Sequence, residues 1–207
     1  MFDSFDNSLI DQLIKALRFL PGVGPKSAQR MAFYLLQHGK NNGITLAKTL
    51  EEAISKIGNC QRCHTLSVLE TCNICSNPKR DRSLLCIVES PIDVLAIEQS
   101  SSYHGLYFVL MGHLSPLDGI GPNEIGIYDL LKLLSREESS SLKEIILATN
   151  PTVEGEATSH YIVNLIREKY TSAVKFTRIA HGIPMGSELE YIDTNTLAKA
   201  INGRVFI

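Results

Sequence analysis

Two cysteine pairs carry the clearest chemistry in this sequence of 207 residues: Cys60-Gln-Arg-Cys63 and Cys72-Asn-Ile-Cys75. A CxxC pair offers two thiolates from one tight turn. The short polar stretch 64–71 lets the two turns face each other, which is the ligand set of a tetrahedral Zn²⁺ site. That stretch is too short to hold a core of its own, so its stability would come largely from the metal. Two disulfides, or unrelated thiols, are the competing readings. His64 is an alternative ligand beside Cys63, although four thiolates already close the site. The fifth cysteine, Cys86, lies in the apolar run 84–88 and reads as a buried strand thiol.

A second set of residues suits an anion. In Leu20-Pro-Gly-Val-Gly-Pro-Lys-Ser-Ala-Gln-Arg30, Gly22 and Gly24 allow the backbone to approach a phosphate closely. The free N–H groups of the helix that follows would point at that phosphate. Lys26 and Arg30 are one helical turn apart and share a face beside it. The arrangement resembles the helix-hairpin-helix family of DNA-binding modules, with contacts to phosphates rather than bases. A plain turn between packed helices with a solvated Lys/Arg face would look similar, but Gln12 to Leu50 holds six basic residues and no acidic one, which favours nucleic acid. A nucleotide P-loop is excluded, because Pro25 separates Gly24 from Lys26 and a helix, not a strand, comes before.

The third set is acidic. Glu89 ends an apolar strand, and Asn150-Pro-Thr-Val-Glu-Gly-Glu156 follows another. This pattern resembles the Toprim domain of topoisomerases and primases. In its catalytic members an Asp-x-Asp loop joins the glutamate to bind Mg²⁺. Here Asn150 and Thr152 stand at those positions, and Glu89 alone is a poor site for a hard cation. His113, His160 and His181 assemble into no catalytic set by spacing, and surface or structural roles suit them better. The segment 189–193 only faintly suggests a Walker B strand. The apolar, glycine-rich loop 112–122 fits a partner surface or a tightly packed loop equally well.

These groups need elements to position them. Ser8 is a candidate cap for a first helix carrying Leu9, Ile10, Leu13, Ile14 and Leu17 at helical spacing. The break at 21–25 leads into a second helix with Ala28, Met31, Ala32 and Leu35 as its inner stripe. Asn41-Asn42-Gly43 reads as a turn. A third helix bears Leu46, Leu50, Ala53, Ile54 and Ile57 and is closed by Gly58, and the basic segment 79–82 reads as a link. From Leu84 strands and helices alternate: strands at 84–88, 105–111, 144–148 and 174–179, helices at 91–99, 123–134 and 154–169. That rhythm predicts a mostly parallel sheet with helices on both faces, and ligand sites at the carboxyl ends of its strands. The expected organisation is a helical DNA-binding region at 1–58, a four-cysteine zinc finger at 59–82, a Rossmann-like Toprim domain at 83–193 and a C-terminal tail at 194–207. The formal net charge of −2 hides an asymmetry, with 11 Lys/Arg against 7 Asp/Glu in residues 1–85 and 9 against 15 thereafter. No apolar run reaches membrane-spanning length, and the acidic N-terminus lacks a secretory pattern, so the expected location is the cytoplasm.

Taken together, the 20–30 motif, the four cysteines, Leu114-Ser-Pro-Leu-Asp-Gly-Ile-Gly-Pro122, the 148–156 segment and Ala180-His-Gly-Ile-Pro-Met-Gly186 resemble the RecR family of bacterial recombination mediators over nearly the full chain. The resemblance implies a non-catalytic DNA-repair protein that binds single- and double-stranded DNA and forms a ring-shaped homo-oligomer, a tetramer. Such proteins act with RecO and, in some bacteria, RecF to load RecA at single-stranded gaps. A Mg²⁺-dependent Toprim nuclease or topoisomerase-like enzyme is the alternative.

Overall fold

A computed structural model describes residues 9–135, 141–170, 174–180 and 182–203. The chain divides into two units, residues 1–57 and 58–207. The first holds α1 (Leu9–Leu17), α2 (Pro25–Gln37) and α3 (Lys40–Lys56). Alpha2 packs against both neighbours and buries Ala28 and Ala32 completely. Of its expected inner stripe, Leu35 is half-buried and Met31 exposed. Ser8 and His181 lie outside the described residues.

Two expectations about α3 are corrected. Asn41, Asn42 and Gly43 form its first turn rather than a separate turn. Gly39 is the N-cap and accepts the Gly43 N–H at 2.7 Å. Turn-forming residues are tolerated there because the first N–H groups of a helix lack intrahelical partners anyway. Gly58 does not close the helix, since Ile57 leaves it in an extended conformation and Gly58 opens a strand. The apolar stripe of α3 is helical as expected, yet α3 buries no residue within this chain.

The second unit begins with the cysteine module: a two-stranded antiparallel ribbon, β1 (Gly58–Asn59) and β2 (Leu66–Ser67), and the single-turn α4 (Asn73–Ser76). A parallel sheet follows, built from β3 (Asp81–Val88), β4 (Gly105–Val109), β5 (Glu144–Ala148) and β6 (Lys175–Arg178) in the order β4-β3-β5-β6. Helices α5 (Pro91–Gln99), α6 (Ile127–Ser135) and α7 (Val153–Lys169) connect the strands. Side chains alternate across a strand, so β3, β4 and β5 each feed two cores. Leu85, Ile87, Leu106, Phe108, Ile145 and Leu147 join residues of α6 and α7 on one face. Cys86, Val88, Tyr107, Val109 and Ala148 pack with Val94 of α5 on the other. Cover on both faces explains why all five residues of β4 are buried, and why Cys86 of β3 is the buried strand thiol expected of it.

Several boundaries differ. Helix α6 starts at Ile127 rather than 123, because residues 122–126 form turns that pass through Gly126 in the left-handed region. The segment 79–82 is more than a link. Asp81 and Arg82 open β3, and Arg80 is anchored in the domain. The segment 189–193 is not a Walker-type strand. Leu189–Tyr191 is a 3-10 turn, and Asp193 caps α8 (Thr194–Asn202) by accepting from Asn195 and Thr196. No helix among the described residues is long and apolar enough to cross a membrane.

Candidate functional site

The cysteine module meets the demands of a metal. The ligand sulfurs of Cys60, Cys63, Cys72 and Cys75 all lie within 4.8 Å of one another, and all four residues are buried. The Cys63 and Cys72 sulfurs are 3.6 Å apart. That is too far for a disulfide, and it matches the edge of about 3.8 Å that a tetrahedron of 2.3 Å Zn–S bonds requires. None of the four is disulfide-bonded. Backbone N–H groups turn toward the sulfurs, Cys72 N to Cys60 Sγ at 3.3 Å and Cys75 N to Cys72 Sγ at 3.5 Å. Burial raises the Cys60 thiol, but the N–H groups of Cys63, Cys72 and Arg62 outweigh it and bring the pKa down to about 7. Contact with Cys75, then burial, pushes Cys63 up, and burial is the main reason Cys72 rises. Burial and the neighbouring sulfurs hold Cys63 and Cys72 in the thiol form unless a cation neutralises them, so this donor set fits a thiophilic metal ion.

His64 is not part of the cluster. Its backbone takes a positive φ of 64°, and its ring lies against Phe108, centroids 4.8 Å apart. The Cys63 carbonyl accepts the Val109 N–H at 2.8 Å, so the module is bonded directly to the end of β4.

In the helical unit, Gly22 adopts φ +77°, where a side chain would be strained. Gly24 is the N-cap of α2, with no side-chain cap and Pro25 in the first turn. The N–H groups of this first turn are therefore unclaimed by any capping side chain. Lys26 and Arg30 are exposed beside it. Gly22, Gly24 and Lys26 lie on this loop and helix start, and Arg30 lies one turn further along α2. Free N–H groups at a helix start can receive a phosphate oxygen.

The acidic set sits where β3 and β5, neighbours at the centre of the sheet, end. Connections leave these two strands in opposite directions, the position at which open parallel sheets bind ligands. Glu89 is 4% exposed. Its Oε1 accepts the Asn150 backbone N–H at 2.9 Å, and its Oε2 accepts the Asn150 side-chain amide at 2.7 Å. His113 Nδ1 is 3.4 Å from the same Oε2, so this histidine belongs to the site rather than to the general surface. Thr152 caps α7, its hydroxyl accepting from Gly155 at 3.1 Å. Glu154 is exposed, while Glu156 Oε1 is 3.2 Å from Arg178 Nη2 and 3.9 Å from Lys199 Nζ. Arg178 was missed in the sequence because it comes from β6, 28 residues beyond Asn150, with nothing local to mark it.

Residues 83–180 match the Toprim domain family, residues 10–54 the RecR helix-hairpin-helix family and residues 182–205 the RecR C-terminal family. The chain is also 56% identical over 198 residues to "Recombination protein RecR" of Coxiella burnetii (strain RSA 493 / Nine Mile phase I), covering 95% of this chain and 96% of that protein. With a helix-hairpin-helix segment, a four-cysteine cluster and a Toprim sheet in one continuous match, the chain belongs to the RecR family of recombination proteins.

Proposed function

We propose that this protein is a non-catalytic recombination mediator in DNA repair. It binds DNA through Gly22, Gly24, Lys26 and Arg30, carries Zn²⁺ on Cys60, Cys63, Cys72 and Cys75, and works as a homo-oligomer, a tetrameric ring. With RecO, and RecF in some bacteria, it promotes RecA loading at single-stranded gaps in the cytoplasm.

The observation that carries the reading is the bond between Glu89 and Asn150. A Toprim nuclease needs a second carboxylate there to hold a divalent cation, and an amide offers at best a neutral oxygen. Family membership supports the recombination role, and the uncapped start of α2 beside two exposed cations supports DNA contact. The proposed domains are 1–58, 59–82, 83–193 and 194–207.

Two assays test the reading. On gapped DNA coated with single-strand-binding protein, the purified protein plus RecO should speed RecA filament formation, and no effect at any ratio would sink the mediator role. Circular DNA incubated with the protein and Mg²⁺ or Mn²⁺ should stay uncut and unrelaxed. Cleavage that disappears in Glu89→Ala would establish the enzymatic alternative.

A further inference from the structure

We propose that Asn150 is a built-in replacement for the divalent cation of a Toprim centre: its side-chain and backbone N–H groups satisfy Glu89 as a metal ion would, and a single change to aspartate reopens the site to a cation. The proposal rests on the non-catalytic reading and explains how it is enforced.

A carboxylate as buried as Glu89 needs compensation on both oxygens. Asn150 provides it as a fork, 2.9 Å to Oε1 from the backbone and 2.7 Å to Oε2 from the amide, with His113 Nδ1 a longer 3.4 Å from Oε2. The fork depends on close passage of the chain. A Cβ on Gly155 would collide with the Asn150 carbonyl oxygen and lie 2.8 Å from Glu89 Oε1, so the glycine between the two glutamates lets the loop close over Glu89. Other oxygens in and beside the loop have donors too. Arg178 Nη2 lies 3.4 Å from the Asn150 carbonyl, its Nη1 donates to Ser159 Oγ at 2.6 Å, and the same guanidinium pairs with Glu156. The Thr152 hydroxyl accepts the Gly155 N–H. A hard cation entering here would have to displace an amide and approach a fixed guanidinium.

Asparagine and aspartate have the same shape and differ in replacing two donor hydrogens by a negative charge. Asn150→Asp therefore sets two carboxylates against each other, an arrangement that demands a cation or a shared proton. The test uses the full-length chain with its thiolate-bound metal left in place and Mn²⁺ as the probe, an ion that prefers oxygen ligands to thiolates. Bound Mn²⁺ is read by electron paramagnetic resonance, and thermal unfolding is followed at neutral pH with and without Mn²⁺.

The wild type should bind no Mn²⁺ and unfold at the same temperature in either case. Asn150→Asp should unfold earlier without Mn²⁺, recover on its addition and hold about one ion per chain. The exchange variant E89Q/N150D restores one amide and one carboxylate, so it should regain stability without Mn²⁺ and bind none. Wild-type protein that binds Mn²⁺ through Glu89, or a folded Asn150→Asp protein indifferent to Mn²⁺, overturns the proposal. If Asn150→Asp does not fold at all, recovery of the fold in E89Q/N150D supports the proposal and failure to recover overturns it. A failed non-catalytic reading shows itself as cut DNA, whereas failure of this inference alone leaves DNA uncut and Asn150→Asp indifferent to Mn²⁺.

Discussion

The four sulfurs of the cysteine cluster depend on a shared cation, because buried sulfur anions repel one another and none compensates the next. Metal analysis of protein purified without added metal should give one zinc per chain, the tetrahedral requirement of four thiolates. Cys72→Ser should lose that zinc and destabilise the second unit by about 2 kcal/mol or more. The damage should not stay local: the Cys63 carbonyl holds the Val109 N–H, so hydrogen exchange at Val109 should accelerate in Cys72→Ser, while exchange at Ile162 in α7 changes less. Normal zinc-free folding would overturn this assignment. The cluster was legible in the sequence because its ligands lie within 16 residues and thiol chemistry permits few other uses of such spacing. The partnership of Glu89 with Asn150 was not. The two are 61 residues apart, and an asparagine in a loop gives no sign of the acceptor it will meet. The Glu-Gly-Glu triplet held the one available hint, a glycine where the backbone must pass close to something.

Among the elements, α5 illustrates how a local rule fixes a boundary. Ser90 and Asp93 exchange capping hydrogen bonds around Pro91, and the expected span 91–99 is the observed one. The start of α3 differs from the expectation because Asn-Asn-Gly is turn chemistry in isolation, whereas here it continues into a helix that packs against α2. At its far end α5 is tied to the segment that leads into β3 and to β4. Arg80 donates two hydrogen bonds to Glu98, at 2.6 and 3.0 Å, and one to the Gly105 carbonyl at 2.8 Å. The Tyr107 hydroxyl donates to Glu98 at 2.6 Å. Burial works to raise the Glu98 carboxyl, but the Arg80 and Tyr107 hydrogen bonds outweigh it and hold its pKa below the ordinary value. A depressed carboxylate pKa adds stability that is complete above the unfolded value, about 4.3, and is lost as pH falls through the folded one. Glu98→Gln should therefore cost about 1–3 kcal/mol at pH 7 and lose less stability than wild type on acidification below about pH 4. Parallel denaturant melts at pH 7 and in mild acid check both parts, and equal losses in the two proteins would remove the clamp from the account.

For the molecule as a whole, DNA contact and assembly belong together. The helical unit leaves Phe19 89%, Tyr34 60% and Ile54 81% exposed, a display of large apolar side chains that a 57-residue unit would ordinarily cover with another surface. Further copies of the chain are the proposed cover. One helix-hairpin-helix makes few phosphate contacts, and each Lys or Arg contact weakens with salt, so a single copy should bind DNA weakly. Several copies joined in one particle raise the effective concentration of each contact for its neighbours, which gives useful affinity to a chain whose formal net charge is −2. Lys26 and Arg30 are exposed, and neither Ala28 nor Ala32, the buried residues of α2, is disturbed by changing them. Lys26→Ala with Arg30→Ala should therefore leave fold and particle mass intact while reducing DNA affinity by about tenfold or more, to a similar degree on unrelated sequences, since phosphates carry no base identity. The salt dependence should flatten as well, with the logarithmic slope falling in proportion to the contacts removed. Anisotropy titrations at two salt concentrations, paired with light scattering on the same samples, read affinity, slope and mass together. Unchanged affinity in a double variant of normal mass would place the DNA-binding surface elsewhere on the chain. A wild-type particle with the mass of one chain would remove the multivalent explanation while leaving the residue assignment to stand on the titration alone.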